Sequence, residues 1–137
     1  VDSFGDDWLI LDVNGVGYLI VASSKTLGRL PKVGEATSLM IETHVREDHI
    51  HLYGFADKSE QQWFRLLTTV QGVGAKVGLA ILSALSPDEI MHAIAAQDKK
   101  VLTQANGVGP KVALRILTEL KDKASDLVLS PASSPLG

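Results

Sequence analysis

The chain has 137 residues, 45% hydrophobic and 21% charged, which reads as a soluble globular protein of one ordinary domain or two small ones. It contains no cysteine, which excludes a disulfide framework and thiolate metal sites and leads us to expect a reducing, cytoplasmic setting. The net charge of −3 argues at first against a nucleic-acid partner, but residues 1–60 carry ten acids and five bases whereas residues 61–137 carry six acids and eight bases, so a basic half remains available to phosphate.

The sequence opens on Val1 rather than Met, and its first seven residues have neither a basic flank nor an apolar run. No segment approaches the roughly 20 apolar residues of a bilayer span, so no membrane association is expected. Residues 8–21 alternate in hydrophobicity around Asn14-Gly15, the signature of a β-hairpin with a tight two-residue turn. Residues 27–34 read as a connection punctuated by Pro31 and two glycines. A second hairpin follows, with Leu39, Ile41, Thr43 and Val45 on one face, Glu47-Asp48 at the turn, and residues 49–53 returning. Strands at this spacing suggest a small barrel or curled sheet.

At Ser59 the period changes to about 3.6. Ser59 is read as the cap of a helix carrying Trp63, Leu66, Leu67 and Val70 and running to about Thr69. A second helix bears Val77, Leu79, Ala80, Ile81 and Leu82, and Ser86-Pro87-Asp88-Glu89 opens a third with serine, proline and glutamate in capping positions. A short fourth is expected over residues 99–105 and a fifth to about Lys123. The serine- and proline-containing stretch after Leu129 reads as a flexible linker.

One pattern in this half repeats. Gly72-Val73-Gly74-Ala75-Lys76-Val77-Gly78-Leu79-Ala80-Ile81-Leu82 returns 35 positions later as Gly107-Val108-Gly109-Pro110-Lys111-Val112-Ala113-Leu114-Arg115-Ile116-Leu117. Each copy is helix, Gly-Val-Gly, helix. The glycines permit a sharp turn and a close approach to the backbone, and the unpaired amides at the start of the next helix, with the positive end of its dipole, suit an anion. A lone Gly-x-Gly between helices is usually only a capping device. Two copies with Lys76 and Lys111 in register favour phosphate, because capping alone does not call for lysine. Arg115 lies one turn beyond Lys111 on the same helical face. Two such sites would grip DNA backbone without reading bases. The dinucleotide-binding fingerprint is excluded, since position 77 is not glycine and a helix precedes the turn, and no Walker-type loop occurs.

These tandem Gly-Val-Gly turns resemble helix-hairpin-helix DNA-binding motifs. Together with Val45-Arg46-Glu47-Asp48 and Leu52-Tyr53-Gly54-Phe55, over about residues 8–123, the chain is similar to the RuvA family, DNA-binding subunits of the bacterial Holliday-junction branch-migration complex. The resemblance implies an α+β chain: an N-terminal OB-fold β-barrel over residues 1–57, an all-α domain with two helix-hairpin-helix motifs over 58–125, and the start of a flexible linker over 126–137. It implies that family members begin several residues earlier with a strand, so that Val1 falls inside a truncated first strand of the barrel, and carry a third domain beyond Gly137 that binds the RuvB motor. It implies backbone binding by Gly72, Val73, Gly74 and Lys76, and by Gly107, Val108, Gly109, Lys111 and Arg115. It implies further that Glu47 and Asp48 form an acidic pin, that the DNA is a four-way junction, that the assembly is a homotetramer, or an octamer on DNA, and that RuvB and the RuvC resolvase are partners in recombination, repair and the SOS response.

Adjacent carboxylates at a hairpin tip are ordinarily solvated surface residues. Beside DNA, within a Debye length of about 8 Å, they repel phosphates, and a four-way junction with a central opening tolerates them where a continuous duplex does not. No catalytic constellation stands out: His44, His49, His51 and His92 are scattered, His49 and His51 share a strand face without a third ligand, and Glu47-Asp48 lacks the second acidic cluster of a magnesium nuclease. No turnover, cofactor or metal is expected. Two other readings stay open: a nonspecific duplex-binding module of a larger repair enzyme, and a single-strand-binding barrel, for which the aromatics, chiefly Trp8, Tyr18 and Tyr53, are sparse.

Overall fold

The computed structural model describes residues 1–45 and 47–129, with side chains through Lys123. Strand β1 (Ser3–Phe4) pairs antiparallel with β2 (Trp8–Val13), and β2 with β3 (Val16–Ala22). Between the last two, Asn14 and Gly15 take φ of 54° and 86°, the left-handed pair that a two-residue turn needs to match strand twist. The Asp12 carboxylate accepts the Gly15 N–H at 2.7 Å and fixes the turn. The first hairpin is thus as expected, with strands that reach the turn itself. The resemblance places Val1 inside a first strand; the first strand described is β1, which begins at Ser3 and is too short for any alternation to show.

Helix α1 (Ser24–Gly28) replaces part of the expected connection. Ser23 caps it by accepting the Thr26 N–H at 3.1 Å, and five residues are too few to show a helical period. Strands β4 (Met40–Val45) and β5 (Ile50–Phe55) form the second hairpin, and β5 runs parallel to β3 with Ile20 opposite Leu52. The sheet order β1-β2-β3-β5-β4 is that of an OB-fold, a five-stranded, partly open barrel. Leu9, Ile20, Ala22 and Leu27 fill it, with Leu11, Leu30, Leu39 and Leu52 packed around them. At the open side, the Val1 backbone bonds to the Gly34 N–H at 2.8 Å and to the Glu35 carbonyl at 2.9 Å.

Helix α2 (Lys58–Leu67) begins two residues earlier than a cap at Ser59 would place it, with Ser59 inside its first turn. Asp57 accepts the Glu60 N–H at 2.9 Å and also meets Arg29 at 3.1 Å, so the carboxylate outcompetes a serine already inside the first turn. Glu60 itself is buried at 5% exposure, held by the Thr26 hydroxyl at 2.5 Å and the Ser23 hydroxyl at 3.3 Å. Removing a hydroxyl partner from a buried carboxylate costs about 1–3 kcal/mol. Thr26→Val is therefore expected to lower the urea midpoint by that equivalent while Thr26→Ser loses less; an unchanged midpoint for Thr26→Val would contradict this role.

The chain divides into two compact units between Trp63 and Phe64, within α2. The second unit contains α3 (Ala75–Ala84), α4 (Pro87–Ala96), α5 (Lys99–Leu102) and α6 (Pro110–Leu129). The capping box read at Ser86 is present: its hydroxyl accepts the Glu89 N–H at 3.2 Å while the Glu89 carboxylate accepts the Ser86 N–H at 2.9 Å. Gln97 closes α4 in the left-handed region, and Asp98 caps α5, which is shorter than expected. Both α4 and α5 pack on α6, whose Ala113, Ile116, Leu117 and Leu120 are buried at the i, i+3, i+4, i+7 spacing of one helical face. Helix α6 continues past Lys123 to Leu129, into the stretch expected to be linker; residues 130–137 of that linker lie outside the described residues. Among the described residues no single helix is long and apolar enough to cross a membrane.

Candidate nucleic-acid interface

The two Gly-Val-Gly turns fold alike because the same three residues meet the same three requirements in each. Gly72 and Gly107 sit at φ of 94° and 86°, where a side chain is strained. The valine then turns inward: Val73 is 4% and Val108 5% exposed. Their amides are already engaged, Val73 N–H with the Val70 carbonyl at 3.0 Å and Val108 N–H with the Ala105 carbonyl at 3.2 Å. The second glycine faces outward, and a Cβ added to Gly74 or Gly109 would meet nothing within 4 Å. Each of these glycines starts a helix, since the Gly74 and Gly109 carbonyls accept from Gly78 and Ala113, both at 2.9 Å.

This geometry sorts the residues expected to bind phosphate. Gly74 caps α3 with no side-chain hydrogen bond, so the first-turn amides point outward without an intrahelical partner. Lys76 and Lys111 are both exposed on the first turn of their helices. Val73 and Val108, by contrast, have neither a free side chain nor a free amide and serve as pegs that hold each turn to the core. Whatever part they take in backbone binding, burial gives both valines a structural one. Truncating either to alanine should remove about 2 kcal/mol of stability. Thermal melts are expected to show the loss, while duplex affinity measured well below the midpoint stays within about twofold; a large affinity loss without a stability change would contradict the peg role.

The copies also differ. Pro110 stands where Ala75 does in the first copy; proline fits a first turn but has no N–H, so α6 offers one donor fewer. A Cβ on Gly72 would lie 3.6 Å from the Val112 side chain, and one on Gly107 would lie 3.2 Å from Val77. Each turn thus packs against the helix that follows the other, an approximate internal two-fold. Arg115, expected to bind backbone with the second hairpin, donates to the Gln71 carbonyl of the first at 3.1 Å. Sequence reasoning missed this because the two residues are 44 positions apart and no periodicity links them.

Glu47 and Asp48 are exposed at the bend between β4 and β5, while Arg46 beside them lies outside the described residues. The neighbouring rings form a row that starts just ahead of β5 and continues along it: His49 and His51 have centroids 5.7 Å apart, and His51 stacks on Tyr53 at 6.3 Å. His44 meets Tyr53 edge-on at 5.0 Å from the adjoining strand. Both His49 and His51 are exposed. Among the described residues, no group of three or more His, Asp or Glu could hold a metal ion.

Residues 1–54 match the family described as RuvA N terminal domain, and residues 64–122 match the one described as SAM-like Helix-hairpin-helix tandem. A protein of Paramagnetospirillum magneticum is 65% identical over 129 residues, covering 94% of this chain and 60% of that protein. Another from Azorhizobium caulinodans is 62% identical over 123 residues, covering 90% and 60%. A third, from Methylocella silvestris, is 61% identical over 127 residues, covering 93% and 61%. All three are described as Holliday junction branch migration complex subunit RuvA. The chain spans about 60% of the length of these curated relatives.

Proposed function

The chain belongs to the RuvA family, and from that premise we propose that it binds four-way DNA junctions structure-specifically and without regard to sequence, holding them open for branch migration by the RuvB motor. The observation that carries the proposal is the pair of hairpins: in each, a buried valine anchors the turn, an outward glycine leaves the approach to the following helix open, and a lysine stands in register. Such sites attract phosphate through amides, helix dipole and ammonium together, and none of these reads a base.

Structure selection is assigned to Glu47 and Asp48. Two exposed carboxylates at one hairpin tip repel a continuous duplex, whose phosphates come close along its whole length, and are accommodated where four arms diverge. A four-armed ligand is matched by a fourfold assembly, so a homotetramer, or two of them on one junction, supplies one pin and one pair of hairpins per arm. The subunit itself performs no turnover; ATP-driven movement of DNA belongs to RuvB and strand cleavage to RuvC, both in the bacterial cytoplasm. Gel-shift competition between a four-way junction and linear duplexes of the same arm sequences tests the proposal, combined with mass in solution. A tetramer that prefers the junction at least tenfold is expected; a monomer with equal affinity for both would instead identify a general duplex-binding module.

A further inference from the structure

We infer that Arg115 acts on the first hairpin although it belongs to the second repeat, its guanidinium pinning the Gln71 carbonyl so that the turn presenting the α3 N-terminus is held in place for a phosphate. This rests on the DNA-binding reading above and adds a positioning residue to it. The Arg115 Nη1 lies 3.1 Å from the Gln71 oxygen, and the same nitrogen would be 3.6 Å from a Cβ placed on Gly72. The guanidinium therefore covers the residue at φ 94° that makes the turn possible. Guanidinium carries five N–H donors in a rigid fork. One is used on Gln71, and the exposed remainder leaves the positive charge beside the turn.

The repeat makes the contact directional. Thirty-five positions before Arg115 stands Ala80, whose side chain has no donor, and the counterpart of Gln71 is Asn106. The first turn is thus tied by the helix of the second copy, and the alanine at the equivalent position of the first copy cannot return that side-chain contact. Pro110 points the same way, because it removes a donor from the second clamp and leaves the first as the richer one. The two hairpins are unequal: the first is the fuller phosphate site, and its geometry depends on a side chain from the other. The competing assignment, that Arg115 extends the second clamp one turn beyond Lys111, predicts the opposite pattern of coupling.

A double-mutant cycle on the full chain separates them, with Arg115→Ala combined in turn with Lys76→Ala and Lys111→Ala and affinity for a linear duplex read by fluorescence anisotropy. Arg115→Ala is expected to weaken binding about tenfold. Combined with Lys76→Ala, the loss should exceed the larger single loss by no more than about twofold, whereas with Lys111→Ala the losses should multiply. Amide hydrogen exchange without DNA gives an independent reading: the Val73 N–H is expected to exchange at least about fivefold faster in Arg115→Ala, with Val108 unchanged. Arg115→Lys, which keeps the charge but not the fork, should retain the salt dependence of binding and still lose protection at Val73, and it serves if the alanine variant folds poorly. Coupling to Lys111 instead of Lys76, or unchanged exchange at Val73, would overturn the inference. Faster exchange at Val73 with no effect of Lys76 or Lys111 on affinity would overturn the DNA-binding reading and the role of Arg115 at a phosphate, leaving only the contact itself.

Discussion

Replacing Lys76 and Lys111 together by alanine is expected to weaken binding to four-way junction and linear duplex alike by about 100-fold near physiological salt, roughly tenfold for each lysine. A charge-assisted contact contributes about 1.5–3 kcal/mol, and 1.4 kcal/mol is a factor of ten. The sign of the effect follows from counterion release. Each lysine that neutralises a phosphate sets free a condensed cation, so each removal should flatten the slope of log affinity against log salt by about 0.9, and the double variant by about 1.8. Because both side chains are exposed on the first turns of α3 and α6, the melting temperature should hardly move. Lys76→Ala alone should cost more than Lys111→Ala, since its helix start keeps the amide that Pro110 lacks. An unchanged salt slope would mean that neither ammonium reaches a phosphate.

The second large effect concerns preference rather than affinity. With Glu47→Gln and Asp48→Asn combined, linear duplex should bind about tenfold more tightly while the four-way junction changes by no more than about twofold, so the ratio between them collapses. The amides preserve side-chain size and hydrogen bonding at the bend and remove only the two charges, which isolates electrostatic repulsion as the cause. Repulsion between exposed charges and phosphates is screened by salt, so the gain for duplex should shrink as salt rises. Gel shifts of both substrates over a salt series measure it; equal changes for duplex and junction would show that the pin does not discriminate.

Much of the fold could be read in the residues because local chemistry and tertiary demand agree there. Asn14-Gly15 forms the turn that its backbone freedom allows, and Ser86 with Glu89 forms the full capping box. The readings that failed did so for identifiable reasons. Asp57 displaced Ser59 as a cap because its carboxylate also answers Arg29, a partner 28 residues away that no local pattern reveals. Helix α1 was missed because a serine cap on five residues leaves no period to detect.

The candidate site shows the same division. The repeat exposed the hairpins at once, and the lysines in register marked the outward face. What the repeat could not show is that identical words can serve different ends within one turn: Val73 and Val108 recur as faithfully as the glycines, yet face the core with their amides bonded. Sequence identity between copies reports shared geometry, and burial decides which of the shared residues remain free for a ligand. Arg115 illustrates the converse, since its contact with Gln71 has no counterpart in the other copy and so no repeat signal.

The most direct test of the central claim, that two helix N-termini grip DNA backbone, is an amide chemical-shift titration of the full chain with a short linear duplex. The largest shifts are expected on the backbone amides of residues 74–77 in the first hairpin and of Gly109, Lys111 and Val112 in the second, with the first set saturating at lower DNA concentration and the same pattern for duplexes of unrelated sequence. Shifts concentrated on the β-sheet rings at His49, His51 and Tyr53, or a pattern that changes with base sequence, would contradict it.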